Sequence, residues 1–371
     1  MHIGLEALCL GARNTGIGVC VSNLLAGLGQ LDCGEKFTLY TTDFAGEREI
    51  EGPEFAQVFR VPRSADNRLI RAAWRQWFLN ARLKQDGIDV LHGTAYMLPA
   101  KPAAPAVVTV HDAIALTHPE LCRSLNAWHF RSRLPRTVRE ASRIIVHSRD
   151  TADQLMARLG VDSGKIEVLR PGIADMFFEN VSEAQRKSVA VRYRLPERYV
   201  LYAGNLEPKK DLGTLLDAFR RLKETEYPGK LVLTGPQSWK HRTIADRMSG
   251  LDERVHVTGY VQATDMPAMY AGADAGVLVS LVEGFGLPVV EAMAAGTPVI
   301  ASDIPGLAEA TGDAACKVKP KDPVALAETL RRVLTDRELC AGLRELGKKH
   351  AESFRSIDYA RRHVEIYRGL R

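Results

Sequence analysis

Short apolar, β-branched runs alternate with longer amphipathic stretches along almost the whole chain, and this alternation limits the possible folds more than any other feature. It is typical of α/β units, in which a helix connects each strand to a parallel neighbour. The alternation stops once, between Pro171 and Arg198, where a polar segment begins with Pro-Gly and ends with Leu-Pro-Glu-Arg. We interpret this segment as a linker. The 371 residues therefore predict two domains, each built on one parallel sheet.

The first half of the pattern predicts strands at Phe37–Thr41, Asp89–His92, Ala106–Val110 and Arg143–His147, and helices at Gly18–Leu31, Asn67–Gln85 and Asp150–Leu159. The second half predicts strands at Tyr199–Ala203, Lys230–Leu233, Val255–Thr258, Ala275–Val279 and Pro298–Ala301, and helices at Asp211–Glu224, Thr264–Ala271 and Leu287–Ala295. A last amphipathic helix, Phe354–Gly369, has apolar residues at Ile357, Ala360, Val364 and Tyr367. Doubly wound sheets bind their ligands at the carboxyl ends of the strands, so we expect a central cleft there between the two domains.

Composition and cysteine spacing argue against a membrane-spanning, a secreted or a zinc-stabilised protein. Hydrophobic residues make up 46% of the chain and charged residues 26%, which is typical of a soluble globular protein. No apolar run approaches the ~20 residues that a bilayer helix requires, and the N-terminus lacks the pattern of a secretion signal. The six cysteines form no Cys-x-x-Cys pair, which favours reduced thiols without a zinc site. We therefore expect a cytoplasmic protein.

The net charge of +5 is unevenly distributed. Residues 55–160 hold 16 Lys and Arg against 8 Asp and Glu, an excess that suits nucleic acid, an anionic membrane or an acidic substrate. Arginines and large apolar residues share the helix predicted over Asn67–Gln85, and more arginines follow: Arg68, Leu69, Ile70, Arg71, Trp74, Arg75, Trp77, Phe78 and Arg82, then Arg131, Arg133, Arg136, Arg139 and Arg143. These residues predict docking on the inner face of an anionic membrane. Burial of the aromatic residues inside the domain is the alternative.

The segment Glu283–Ala301 carries the most chemical information. A strand leads into a glycine-rich turn, and a helix then begins with a proline in its first turn; the turn and helix start comprise Gly284, Phe285, Gly286 and Leu287. Unpaired N–H groups and the helix dipole make such a start an anion site, for which a diphosphate is the obvious ligand. Glu291, one turn into the helix, suits ribose hydroxyls beyond the phosphates. Glu283 precedes the turn and can point into the cleft.

Two glutamates separated by seven residues within EGFGLPVVEAMAAGTPVIAS closely resemble the signature of retaining glycosyltransferases of family four. The resemblance implies the α/β GT-B fold, with two Rossmann-like domains that face a central cleft. It also implies that the C-terminal helix crosses back to the first domain. The implied boundaries are 1–175 with helix 354–371 for the N-terminal acceptor domain, and 176–353 for the nucleotide-sugar domain.

Other segments extend the resemblance over almost the whole chain. Gly16-Ile17-Gly18 is similar to the family's loop near the donor diphosphate, and His111 in VTVHD to a histidine that contacts the donor sugar. The turn with Lys209 and Lys210 is similar to a phosphate-binding turn in which Lys210 would neutralise the diphosphate, although Asn205 stands where many members have Arg. A further loop resembles the one that receives the nucleobase: Gly259, Tyr260 and Val261.

The implied reaction needs no cofactor and no metal ion. The sequence contains no Asp-x-Asp pair to hold a divalent cation on the diphosphate, so that task falls to Lys210 and the helix start. The resemblance implies front-face attack by the acceptor with the leaving phosphate as base. In that mechanism Glu283 grips sugar hydroxyls and Lys210 stabilises the leaving group. Asp112 is the one nearby carboxylate that could serve as nucleophile in a double displacement, and we disfavour that mechanism.

The motifs together most resemble bacterial mannosyltransferases of surface polysaccharide and lipopolysaccharide assembly. They imply GDP-mannose as donor and a glycan or lipid-linked acceptor, with no nucleic acid partner. UDP- and dTDP-sugar transferases share nearly the same residues, so glucosyl, N-acetylhexosaminyl and rhamnosyl transfer remain alternatives. A sugar-nucleotide epimerase or hydrolase also remains open, whereas the incomplete Gly-x-Gly pattern disfavours an NAD-dependent oxidoreductase.

Overall fold

The computed structural model describes residues 1–10, 16–42, 56–61, 68–222, 225–236, 248, 250–251 and 253–370. The chain forms two compact units. Unit 1 comprises Met1–Ala174 together with Arg355–Arg371, and unit 2 comprises Asp175–Phe354. Each unit is an α/β layer structure around one parallel sheet.

Unit 1 contains a seven-stranded parallel sheet in the order β3-β2-β1-β4-β5-β6-β7. Its strands are β1 His2–Glu6, β2 Lys36–Thr42, β3 Ala56–Val61, β4 Val90–Gly93, β5 Ala106–Val110, β6 Arg143–Val146 and β7 Ile166–Val168. Its described helices, apart from the C-terminal one, are α1 Gly16–Gly29, α2 Arg68–Trp77, α3 Leu79–Gln85, α4 Ile114–Thr117, α5 Ser124–Glu140 and α6 Arg149–Leu159. Strand β5 is buried along its whole length, as expected when helices cover both faces of a parallel sheet.

Unit 2 contains a six-stranded parallel sheet in the order β10-β9-β8-β11-β12-β13. Its strands are β8 Tyr199–Ala203, β9 Lys230–Thr234, β10 Val255–Gly259, β11 Ala275–Leu278, β12 Val299–Ser302 and β13 Ala315–Val318. Its described helices are α7 Glu183–Tyr193, α8 Leu212–Arg221, α9 Met266–Ala271, α10 Leu287–Ala294, α11 Ala308–Thr311, α12 Pro323–Thr335 and α13 Arg337–Ala351.

The C-terminal helix α14, Ser356–Arg368, completes the core of unit 1. Its predicted apolar residues Ala360, Val364 and Tyr367 are buried. Helix α14 packs on α1 so closely that a Cβ at Gly27 would lie 2.1 Å from the carbonyl oxygen of Ser356. A glycine at this point of α1 is therefore what allows the two helices to approach.

The predicted strands agree with the observed strands within one residue at each end, but three parts of the prediction were wrong. The linker predicted between Pro171 and Arg198 does contain the boundary between the two units, at Ala174 and Asp175, but it is not irregular throughout because it includes helix α7. The helix predicted over Asn67–Gln85 is two helices that meet at Phe78. Helix α1 begins at Gly16, two residues before its predicted start at Gly18, so Gly16 lies in the helix instead of in a loop before it. Four strands were not predicted: β1, β3, β7 and β13.

Within the described parts of the chain, no helix combines the length and the apolar character that crossing a bilayer requires.

Candidate active site

The candidate site of unit 2 lies where the strand order reverses. Strands β8 and β11 are neighbours, but the chain proceeds from β8 to β9 on one side and from β11 to β12 on the other. Ligands of open α/β sheets bind at such a switch point, at the carboxyl ends of the strands. The turn that contains Lys210 follows β8, and the loop that contains Glu283 follows β11.

Lys210 and Glu283 form a buried ion pair across this switch point. The Lys210 Nζ donates to Glu283 Oε1, and both side chains are buried. Burial alone raises the pKa of Glu283, but the charges of Lys210 and Lys209, together with hydrogen bonds from Lys210 and Ser280, hold that pKa below its usual value. The site therefore presents an ionised carboxylate and an ammonium group within one hydrogen bond of each other.

Hydrogen bonds to neighbouring loops hold this pair in place. The Ser280 Oγ donates to the same Glu283 oxygen at 2.7 Å, and the Ser280 N–H donates to the Ser302 Oγ at 2.8 Å. The Leu281 N–H donates to the Lys209 carbonyl oxygen at 2.7 Å. These bonds connect the loops after β8 and β11 to the end of β12, so the geometry of the pair follows from the sheet.

The predicted anion site is the N-terminus of α10. Gly286 precedes the helix with a φ of 98°, in the left-handed region that favours glycine. A Cβ there would lie 2.4 Å from the Leu307 side chain. Gly284, Phe285 and Leu287 are buried around the turn, and the Phe285 ring lies 5.8 Å from the Phe354 ring. Among the described residues no side chain caps the helix start. Pro288 has no N–H, and the Val289 N–H donates to the Gly286 carbonyl oxygen at 3.0 Å, so the N–H groups of Gly286 and Leu287 are the ones left to a ligand or water.

Glu291 lies in the middle of α10 and is partly buried. The Tyr270 hydroxyl donates to its Oε2 at 3.3 Å. Burial raises the pKa of Glu291 to about 7, and the Tyr270 hydrogen bond opposes that rise. This glutamate therefore changes its charge near neutral pH.

The remaining predicted residues of unit 2 lie on loops after β8 and β10. The Asn205 carbonyl oxygen accepts from the Tyr202 hydroxyl at 3.1 Å, and Lys209 Nζ lies 3.7 Å from a Glu207 oxygen. Gly259 ends β10 with a φ of 73°. Two predicted nucleobase-site residues follow it, the buried Val261 and the 36% exposed Tyr260.

His111 belongs to unit 1, at the end of β5, and is buried. Its Nε2 lies 2.8 Å from the Thr94 carbonyl oxygen, and its Nδ1 lies 3.1 Å from Nε2 of His147. Burial lowers the pKa of His111 to about 4 and that of His147 to about 3, so both imidazoles are neutral at physiological pH. Gly16 and Gly18 are in unit 1 as well, on α1.

The structure thus brings together Lys210, Glu283 and the start of α10 within unit 2. Sequence reasoning did not identify Ser280, Ser302 or Tyr270, the side chains that orient this site. Of the three, only Ser280 has a signal in the sequence: it directly follows a predicted strand, and the carboxyl ends of strands carry ligand contacts.

Two family models match adjacent parts of the chain. The model described as "Glycosyltransferase Family 4" matches residues 14–175, and the model described as "Glycosyl transferases group 1" matches residues 185–350. The first matched range covers most of unit 1, and the second covers most of unit 2.

Curated relatives and a solved structure agree with these models. The chain is 30% identical over 251 residues to O-antigen chain mannosyltransferase B of Escherichia coli, a match that covers 67% of this chain and 65% of that protein. It is 27% identical to mannosylfructose-phosphate synthase of Agrobacterium fabrum, over 93% of this chain and 84% of that protein.

HepE of Anabaena, solved in complex with UDP-glucose, is 18% identical and covers 100% of both chains with a TM-score of 0.76. At this identity the likeness concerns the fold. The two parallel sheets, the strand-order switch and the two family models lead to one conclusion: the chain belongs to the family-four type of glycosyltransferases and has the GT-B fold.

Proposed function

We propose that the protein transfers a hexose from a nucleotide-sugar donor to a glycan or lipid-linked acceptor in bacterial surface polysaccharide synthesis. The observation that carries this proposal is the Lys210–Glu283 ion pair beside the uncapped start of α10. An ammonium group and unpaired N–H groups suit a diphosphate, and an ionised carboxylate suits the hydroxyls of a sugar attached to it.

In the proposed reaction the bond between the anomeric carbon and the diphosphate oxygen breaks, and its electron pair stays on the phosphate. Lys210 and the N–H groups at the start of α10 stabilise that charge without a metal ion. The acceptor hydroxyl attacks the anomeric carbon from the face that the diphosphate leaves, so the anomeric configuration is retained. The proton of the acceptor hydroxyl passes to the leaving phosphate oxygen. Glu283 holds the sugar ring during this step.

GDP-mannose is the donor that we favour. Support comes from the mannosyltransferase among the curated relatives and from the mannosylfructose-phosphate synthase that matches most of the chain. The UDP-glucose in the HepE structure supports the alternative of a UDP-sugar. A comparison of GDP, UDP, dTDP and ADP separates these donors, because the nucleotide that binds the folded chain raises its melting temperature.

The sharpest version of this experiment pairs two lysine variants. Lys210→Met should abolish the extra stabilisation by a nucleoside diphosphate over the matching nucleoside. Lys230→Met should retain it, because Lys230 lies exposed at the opposite, amino end of the same sheet. Equal responses of the two variants, or no response of the wild-type chain to any nucleotide, would contradict the proposal. A sugar-nucleotide epimerase would turn over its donor without added acceptor, whereas the proposed transferase requires one.

We also propose that an anionic membrane presents the acceptor to unit 1. Four large apolar side chains are strongly exposed on α2, α5 and the junction after α2: Trp77 at 71%, Phe78 at 61%, Leu125 at 82% and Trp128 at 70%. Arg131, Arg133 and Arg139 on α5 are exposed as well. Aromatic and aliphatic side chains next to arginines suit the boundary between lipid headgroups and acyl chains.

Other residues of the predicted membrane surface have internal partners. Trp74 stacks on Phe59 with ring centroids 6.2 Å apart, and Arg75 bridges to Glu6 at 2.8 Å. Arg71 donates to the Leu8 carbonyl oxygen at 2.8 Å. Arg82 pairs with Asp86. The proposed docking surface is therefore narrower than the predicted one; the side chains of Arg68 and Leu69 lie outside the described residues.

A further inference from the structure

Three side chains that can ligate a metal ion converge inside unit 1. Cys20 comes from α1, His111 follows β5 and His147 follows β6. One ligand atom from each lies within 4.8 Å of those of the other two, and all three residues are buried. In the described part of the chain, this is the one group of three or more histidine, cysteine and acidic residues with that geometry.

The outer nitrogens of the two imidazoles are both engaged by backbone carbonyls. His111 Nε2 lies 2.8 Å from the Thr94 oxygen, and His147 Nδ1 lies 3.0 Å from the Leu169 oxygen. A carbonyl oxygen only accepts hydrogen bonds, so each of these nitrogens carries the proton of its ring. A neutral imidazole has one N–H, which leaves a lone pair on each inner nitrogen.

The two inner nitrogens, His111 Nδ1 and His147 Nε2, face each other at 3.1 Å. With lone pairs on both, a hydrogen bond between them requires a third proton and hence an imidazolium. Burial disfavours that charge, because neither ring is in contact with water to any large extent. A cation between the inner nitrogens would satisfy both lone pairs.

We propose that Cys20, His111 and His147 bind one Zn²⁺ ion in unit 1. A cysteine with two histidines is a ligand set that zinc accepts, with a fourth position left for water or another ligand. Backbone carbonyls that fix the outer N–H of each imidazole are the usual second layer of a metal site. On binding, the Cys20 thiol loses its proton to solvent and its sulfur ligates the ion as thiolate.

The distances agree with a small adjustment of the side chains. Zinc bonds of about 2.0–2.1 Å to nitrogen and about 2.3 Å to sulfur place two nitrogens and a sulfur roughly 3.3–3.6 Å apart in a tetrahedron. The two nitrogens are slightly closer than this, and the sulfur has to approach within the 4.8 Å that encloses the group.

This site goes beyond the proposed transfer reaction and differs from the expectation that the chain binds no metal. It also has a consequence for His111. With Nδ1 on the ion and Nε2 on the Thr94 oxygen, the ring has no nitrogen left for a donor sugar. The metal site and the sugar contact predicted for His111 are therefore competing roles.

Metal analysis of the full-length chain tests the proposal. We expect about one zinc per chain after purification, and a melting temperature that falls when a chelator removes the ion and returns with Zn²⁺. Co²⁺ added to the chelator-treated chain should produce the intense absorption of a thiolate–cobalt bond. This spectrum needs no variant, so a misfolded variant does not remove the test.

Two variants and a matched control assign the ligands. Cys20→Ser should abolish the thiolate–cobalt absorption, and His147→Gln should weaken zinc binding by more than about 100-fold, beyond the 10–100-fold typical of outer-layer partners. Cys33→Ser, another cysteine of unit 1, should change neither. A chain without zinc, without a cobalt–thiolate absorption and without a zinc-dependent melting temperature would overturn the proposal. So would cobalt absorption that persists in Cys20→Ser.

Discussion

At the residue scale, Glu283 is the carboxylate on which the proposed reaction depends most. Glu283→Gln keeps the shape of the side chain but removes the negative charge that pairs with Lys210 and, in the proposed reaction, holds the sugar. We expect turnover to fall about 10²–10³-fold, the typical loss of one transition-state contact of roughly 2.7–4 kcal/mol. Nucleotide affinity should stay within a few-fold. Steady-state rates and calorimetric nucleotide binding measure the two effects separately.

Glu226→Gln is a suitable control for this variant, because Glu226 is an ion-paired glutamate of the same unit, bonded to Arg331 at 3.2 Å. It should leave both quantities unchanged. A near-normal rate in Glu283→Gln would show that the sugar does not bind where we propose.

Glu291 should make nucleoside binding depend on pH. Its pKa of about 7 means that the carboxylate form, which the sequence predicts to accept the ribose hydroxyls, increases about tenfold between pH 6 and pH 8. Affinity for a nucleoside should rise by a similar factor over this range. A nucleoside is the better probe, because diphosphate groups titrate near pH 6 themselves. In Glu291→Gln the affinity should not change with pH; the same slope in both proteins would contradict the assignment.

The raised pKa of Glu291 should also affect stability, but in the opposite direction: nucleoside affinity rises with pH, whereas the free energy of unfolding falls. The folded chain holds the Glu291 proton up to about pH 7, whereas the unfolded chain releases it near the ordinary value of 4.5. Between these values the folded state binds more protons, so the free energy of unfolding falls as pH rises. Glu291→Gln should remove this part of the pH dependence of the melting temperature.

The sequence predicted the individual site residues better than their contacts. Glu283 and Lys210 stand in recognisable motifs, but 73 residues separate them along the chain. Their ion pair follows from the adjacency of β8 and β11, which no local pattern encodes. Tyr270 and Ser302 were missed for the same reason. Tyr270 lies on α9 and Ser302 at the end of β12, and only the folded unit places them beside Glu291 and Ser280.

At the scale of elements, the start of α10 depends on Gly286. Gly286→Ala forces an L residue into a left-handed conformation, at a cost of about 1–2 kcal/mol, and drives its Cβ into Leu307. We expect a lower melting temperature and a loss of nucleoside diphosphate binding as the helix start moves. Thermal unfolding and calorimetry measure both effects.

Gly342→Ala is the matched control, because Gly342 lies inside α13 without a positive φ, and a Cβ added there would meet none of the described neighbours within 4 Å. Alanine there should be neutral or stabilising by up to about 1 kcal/mol. Unchanged nucleotide binding in Gly286→Ala would contradict the role given to this helix start.

Weak apolar periodicity explains why some elements were missed, and helix α7 is the clearest case. Helix α7 buries only Val189, so its polar sequence was interpreted as a linker. Its helical start depends on a capping box in which Ser182 and Gln185 exchange hydrogen bonds, a signal that the sequence contains. The missed strands β7 and β13 lie at the edges of their sheets and lack the continuous buried apolar run of most predicted strands.

At the scale of the whole molecule, the basic excess of residues 55–160 is only partly available to a membrane. Ion pairs within unit 1 use Arg75, Arg82 and Arg136, whose partners are Glu6, Asp86 and Glu140. The partner of Arg75 lies 69 positions away on β1, so no local pattern reveals this pair, whereas the pairs of Arg82 and Arg136 have the i,i+4 spacing of a helix. The exposed arginines of α5 are the ones that a membrane can meet.

We therefore expect unit 1 to direct the protein to anionic vesicles. Full-length protein should sediment with vesicles that contain phosphatidylglycerol and not with neutral phosphatidylcholine vesicles. Combined Trp77→Ala, Phe78→Ala and Trp128→Ala substitutions remove large exposed side chains without disturbing the core, and they should abolish sedimentation. The Arg131→Glu, Arg133→Glu and Arg139→Glu variant should lower binding at least roughly 100-fold, at about 1 kcal/mol for each charge.

The matched control for the aromatic variant carries Val191→Ala and Val324→Ala, which shorten apolar side chains of unit 2 that are 79% and 61% exposed. If exposed apolar area alone caused the binding, this control would also lose it; if the surface of α2 and α5 is specific, the control sediments like the wild-type chain. Circular dichroism confirms that each variant is folded. Unchanged sedimentation of the aromatic variant, or equal binding of the wild-type chain to neutral vesicles, would contradict membrane docking and would favour an acceptor delivered from solution.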